Sequence, residues 1–178
     1  WGVGIVNLAI GQSNMVGGGD DESYTGANDL VVNYTMTGNW EHLTDPYANG
    51  YGSMIPALGN ALTNRYQIPV AFVPAAVMGT ELHGDNGSDN CWVYRNESDH
   101  DDTETLYGNS IARAYDAGGV ELIIMHQGES DADNPDATNI ATTEEQYEND
   151  MAILLANYRE DLYDPIPLFY CQIGSNDC

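Results

Sequence analysis

Lysine is absent from this chain. Its only fixed cations are four arginines (Arg65, Arg95, Arg113 and Arg159), set against 28 Asp and Glu for a formal charge of −24. That balance excludes nucleic acid as a partner, because nothing is present to neutralise phosphates. It equally excludes docking on an anionic membrane surface. Membrane insertion is not expected either, since no run reaches the roughly 18 apolar residues a bilayer span needs. Cysteine is scarce and odd in number: Cys91, Cys171 and Cys178. No C-x-x-C spacing suggests zinc. Cys171 and Cys178 could close a small loop, and three free thiols fit as well. A positively charged leader followed by an apolar run is also missing, and the chain opens on Trp1-Gly2-Val3-Gly4. It reads as one domain over 1–178, a mature or excised piece of a longer polypeptide.

An acidic surface without lysine suits high salt, where screening shortens self-repulsion to about 3 Å at 1 M. A halophilic, extracellular or surface-exposed setting is therefore expected, and the sequons at Asn33, Asn86 and Asn96 permit it. The melting temperature should rise from low to molar salt. A melting temperature indifferent to salt would contradict this.

Helix-like and strand-like patterns alternate. Ile5 to Ile10, Val70 to Val73, Val120 to Met125 and Pro167 to Ile173 are apolar runs of strand length. Ser53 to Tyr66 reads as a helix with Pro56 in its first turn and a stripe of Ile55, Leu58, Leu62 and Tyr66. Leu106 to Ala117 is a second helix, closed by Gly118-Gly119. Thr143 to Leu162 is a third. Thr143 and Gln146 are spaced as a capping box, and Tyr147, Met151, Leu154, Leu155, Tyr158 and Leu162 form its stripe. The alternation predicts an α/β fold, a three-layer sandwich with a mainly parallel sheet. Ligands then lie beyond the carboxyl ends of the strands. Two long polar stretches, 16–52 and 83–103, would rim that crevice.

Three segments fall at strand ends. Gly11-Gln12-Ser13-Asn14-Met15 follows the first strand, Met78-Gly79-Thr80 the second, and His126-Gln127-Gly128-Glu129-Ser130-Asp131-Ala132 the third. A serine where a strand meets a loop is a candidate nucleophile, though polar turns use the same residues. A glycine lets backbone approach a substrate and leaves its N–H as a donor. An amide and two carboxylates at one strand end exceed what a turn needs. The acidic clusters Asp99-His100-Asp101-Asp102 and Asp131–Asp136 do not fit EF-hand spacing and read as solvated acidic faces; no metal is expected.

Together the three blocks resemble those of the SGNH hydrolases, and within them the sialate O-acetylesterase and acetylxylan esterase group (carbohydrate esterase family 6). Trp40 followed by Asp45-Pro46, and the late run Leu168 to Ile173, extend the likeness along nearly the whole chain. The resemblance implies a flavodoxin-like sheet and a serine esterase removing O-acetyl groups from carbohydrate without metal or organic cofactor. It implies Ser13 as nucleophile, the Ser13 and Gly79 N–H groups with the Gln127 side chain as oxyanion hole, and Glu129 as support for the base. Gln12, Asn14, Thr80 and His83 would line the substrate crevice. Met78 stands where the family has glycine. The family's base lies in a D-x-x-H block near its C-terminus, and none occurs in this sequence. The segment is thus expected to be C-terminally incomplete. The alternative is a catalytically inactive, carbohydrate-binding or structural module of a larger halophilic surface or virion assembly.

Overall fold

The computed structural model describes residues 4–19, 27–48, 50–84, 90–132, 142–163 and 165–171. The first strand, β1 (Ile5–Gly11), runs directly into a four-residue helix, α1 (Ser13–Val16). Then follow β2 (Val31–Tyr34), β3 (Trp40–His42), α2 (Ile55–Tyr66), β4 (Val70–Pro74), α3 (Leu106–Asp116), β5 (Leu122–His126), α4 (Glu129–Ala132), α5 (Glu144–Asp161) and β6 (Leu168–Tyr170). The strands form one sheet in the order β3-β2-β4-β1-β5-β6. All pairings are parallel except β2 with β3.

Period-two alternation explains the two cores. On one face Leu8, Ile10, Val73, Ile123 and Met125 pack against Tyr107 and Ile111 of α3 and Leu154 and Tyr158 of α5. On the other, Ala9, Phe72 and Ile124 pack against Met15 of α1 and Ile55 of α2, with Leu58 and Leu62 beside them. This is the expected three-layer α/β arrangement. The capping box at α5 is complete: Gln146 N–H donates to Thr143 Oγ1 at 3.2 Å, and Thr143 N–H to Gln146 Oε1 at 2.9 Å.

Three expectations are corrected. The stretch 16–52 is not wholly loop, since β2 and β3 lie in it. Tyr66 does not complete the α2 stripe; it is exposed, and Gly59 and Thr63 take the buried positions so that the helix approaches Val31 and Phe72 closely. The fourth strand is described only over Leu168–Tyr170, and Gln172, Ile173 and Cys178 lie outside the described residues. Asn86, its sequon and Asp133–Asp136 also lie outside them. Cys171 is a free thiol, and burial pushes the pKa of both Cys91 and Cys171 upward.

Candidate functional site

The sheet order puts β1 between β4 and β5, so the chain reverses its direction of winding there. Such a switch point opens a crevice at the carboxyl edge. Gly11, Pro74 and His126 end these three neighbouring strands, and the three sequence blocks follow them. The turn after β1 is tight. Gln12 N–H donates to His126 O at 3.0 Å, and Gln12 O accepts from both Met15 N–H and Val16 N–H. Ser13 is therefore the first residue of α1, half-buried, with no intrahelical acceptor for its N–H. Helix α1 is clamped from behind: the buried Tyr47 hydroxyl donates to Met15 O, and Tyr51 N–H to Gly17 O at 2.7 Å.

Gly79 sits in the turn after β4 at φ +70°, a conformation open mainly to glycine, and a Cβ there would meet nothing within 4 Å. Among the described residues no acceptor takes the N–H of Ser13 or of Gly79.

Gln127 is fully buried and joins the three blocks. Its Nε2 faces Thr80 O at 2.7 Å, Gln12 Oε1 at 3.0 Å and Asp131 Oδ2 at 3.1 Å. Three acceptors around one nitrogen fix the amide orientation. Its Oε1 is buried without a partner among the described residues. The resemblance implied an oxyanion donor here; the arrangement instead engages the donor internally. Tyr147 and Tyr170 hydroxyls both donate to the Gln127 carbonyl, at 3.0 and 2.7 Å. Burial raises both phenols above their usual value, so they remain donors.

The residues expected to line the crevice divide. Gln12 is 3% exposed and Thr80 fully buried. Gln12 Oε1 accepts from Gln127 and, at 3.2 Å, from Ser130 N–H. Thr80 Oγ1 donates to Val77 O at 2.9 Å and accepts from Trp92 Nε1 at 3.0 Å. Their side chains hold the site together and do not reach a ligand. Asn14 is exposed and its Nδ2 donates to Glu129 Oε1. His83 is engaged by α5: its Nδ1 lies 2.5 Å from Asp150 Oδ2. There it lines a separate cavity of about 390 Å³ with Tyr94, Arg95 and Asn157.

The sequence reading missed Asp131. It is no solvated acid: 5% exposed, it accepts from Leu82 N–H and His83 N–H at 3.0 Å as well as from Gln127. No sequence signal separates it from its exposed acidic neighbours; only its place two residues after Glu129, at the end of β5, turns it inward.

Among the described residues no histidine bonds the Ser13 hydroxyl. His42 lies 3.8 Å from Asp29, His83 faces Asp150, His100 Nδ1 lies 2.7 Å from Asp161 Oδ1, and His126 Nδ1 lies 3.3 Å from Glu129 Oε1.

Fold and site together define an α/β protein with a serine presented at the switch point of a mainly parallel sheet, its own N–H and that of Gly79 in the turn after β4 unclaimed among the described residues. The chain belongs to the carbohydrate esterase, sialic acid-specific acetylesterase family, whose model matches residues 4–178. Three solved structures share the fold. A protein from Arabidopsis thaliana is 22% identical at a TM-score of 0.70, over 97% of this chain and 75% of its own. A carbohydrate acetylesterase from Xanthomonas citri is 16% identical at 0.64, over 94% of this chain and 41% of its own. NanS is 14% identical at 0.60, over 96% of this chain and 68% of its own. A comparison with curated protein sequences gives no significant match. Membership of the family supports a carbohydrate acetylesterase function.

Proposed function

We propose that the protein is a serine O-acetylesterase of carbohydrate in which Ser13 is the nucleophile. The observation that supports this most directly is that Ser13 and Gly79 follow neighbouring strands of the switch point and that, among the described residues, no acceptor takes the N–H of either. The Ser13 oxygen gives its proton to a base and attacks the acetyl carbonyl; the C–O bond to the sugar breaks, the acetyl group stays on Ser13, and the leaving sugar oxygen takes the proton and departs as a hydroxyl. Water then releases acetate. Both tetrahedral intermediates place negative charge on the former carbonyl oxygen, where preorganised donors are worth most. Gln127 is a positioning residue: it ties Thr80, next to Gly79, to Gln12, next to Ser13. Glu129 is fixed through Asn14 and stands ready to orient a base.

The reaction also needs a base for the Ser13 hydroxyl, and no described histidine hydrogen-bonds it. The test is acetate release from an acetylated oligosaccharide in molar salt, using the longest native chain. Ser13→Ala should lower kcat by about 10³-fold or more. The second reading, a carbohydrate-binding or structural module of a surface or virion assembly, is favoured by one observation: no described histidine hydrogen-bonds Ser13. Under it, the Ser13→Ala protein and the parent hydrolyse at the same rate.

A further inference from the structure

We infer that the cavity between His83 and α5 is a second binding site, separate from the Ser13 crevice, and that it takes an uncharged, hydroxyl-rich ring: a saccharide unit other than any presented to Ser13. The site stands on its own lining and does not depend on Ser13 being a nucleophile.

The cavity measures about 390 Å³, within the roughly 300–1,000 Å³ of small-molecule sites. It runs down the flank of α5. Tyr147, near the start of that helix, donates to the Gln127 carbonyl at the carboxyl edge, and the helix leads to the amino end of β6. Asp150, Ile153 and Asn157 form one wall, three, six and ten residues beyond Tyr147. They stand about 4.5, 9 and 15 Å further along the axis, away from the carboxyl edge. The other wall is Val93, Tyr94 and Arg95, which follow the bridge that pairs Glu81 with Cys91.

The charged groups on these walls are engaged with one another. Arg95 gives Nε and Nη2 to Glu97, both at 3.0 Å, and Nη1 to Glu160 at 3.0 Å and Asp161 at 3.4 Å. An anionic ligand therefore finds its one guanidinium already taken, and enclosing an unpaired charge is unfavourable. An organic cation would have to displace the His83 ring from Asp150, which it approaches to 2.5 Å. The unclaimed groups are neutral. With Nδ1 donating to Asp150, the neutral His83 ring keeps Nε2 as an acceptor. The Tyr94 hydroxyl and the Asn157 amide have no partner among the described residues. Val93 and the exposed Ile153 add an apolar strip. An acceptor, a hydroxyl and an amide beside an apolar strip match a pyranose, whose ring carries hydroxyls that donate and accept and C–H faces that shed water.

The experiment is calorimetry on the longest native chain. The probes are four unacetylated neutral tetrasaccharides, built from glucose, xylose, mannose or galactose, and two charged ones, built from galacturonic acid or glucosamine. At least one neutral probe should bind, more tightly than either charged probe and equally well to the parent and to Ser13→Ala. Tyr94→Phe and Asn157→Ala remove a hydroxyl and an amide that hold no other described group, so Tm should stay near the parent's. The double variant should weaken binding tenfold or more. If it does not fold, Tyr94→Phe is read alone, with a loss of threefold or more expected. Four results overturn the inference: no neutral probe binds, a charged probe binds equally or more tightly, Ser13→Ala weakens the binding, or the variant read falls short of its stated loss. The esterase reading is judged separately, by Ser13-dependent hydrolysis of p-nitrophenyl acetate, so that either can fail alone.

Discussion

Asp131→Ala is expected to cost the fold about 3–5 kcal/mol, because several buried groups lose their partner together. The Leu82 and His83 N–H groups both donate to this carboxylate at 3.0 Å, and Gln127 Nε2 reaches it at 3.1 Å. Alanine offers none of them an acceptor, and water has little access, since Leu82 and Gln127 are fully buried. Activity should fall by more than the loss of folded protein explains. Leu82 is three residues from Gly79, and Thr80 between them accepts from Gln127. Freeing the segment moves the Gly79 N–H, and a displacement of about 1 Å can cost roughly 10²-fold in rate. Asp131→Asn separates the two roles of the carboxylate. Its single oxygen can keep the backbone donors, but its amide then meets the Gln127 amide donor to donor. It should retain part of the stability and little of the activity. Urea unfolding and kcat on the same preparations are the measurement. An alanine variant within about 1 kcal/mol of the parent would show that Asp131 is not the tie described.

Much of this candidate site was legible in the sequence because its residues are placed by backbone. Ser13 and Gly79 are placed by the ends of β1 and β4, and those strands are apolar runs that any period-based reading finds. The helices α2, α3 and α5 were legible for the same reason, and α5 also through Thr143 and Gln146. What was not legible depends on which way a polar side chain turns. Gln12, Thr80 and Gln127 have the composition of ligand-binding residues, yet their side chains close on one another. Asp131 and Asp150 are two of 28 acidic residues, and nothing local marks them as buried. Their partners, Leu82 and His83, lie 49 and 67 residues away along the chain. His83 was placed by its nearness to Gly79 in sequence; the reach of its ring to α5 is a tertiary fact. The strands β2 and β3 were missed because they are four and three residues long, and β2 has only Val31 and Val32 as β-branched positions.

Gly11→Ala should be the most damaging single-methyl change at the site. Gly11 has φ +120°, and a Cβ built on it would lie 2.0 Å from the His126 carbonyl oxygen and 2.7 Å from its carbon. Those atoms are backbone of the neighbouring strand and cannot swing aside. The same oxygen accepts the Gln12 N–H at 3.0 Å, the bond that sets the turn into Ser13. Relief therefore requires β1 and β5 to separate at their last pair, Gly11 with His126, or the backbone to leave positive φ. Either change redirects the chain two residues before Ser13. The expected cost is more than about 3 kcal/mol, which for a chain of this size lowers Tm by roughly 6–12 °C or more. Gly118→Ala is the control. Gly118 also has positive φ, +93°, but a Cβ there meets nothing within 4 Å. That variant should show only the conformational penalty of alanine at positive φ, about 1 kcal/mol or a few degrees in Tm. The difference between the two variants isolates the collision with β5. A matching Tm loss for Gly11→Ala and Gly118→Ala would mean that the strand end yields freely, and that Ser13 is not held by the close approach of Gly11 to His126.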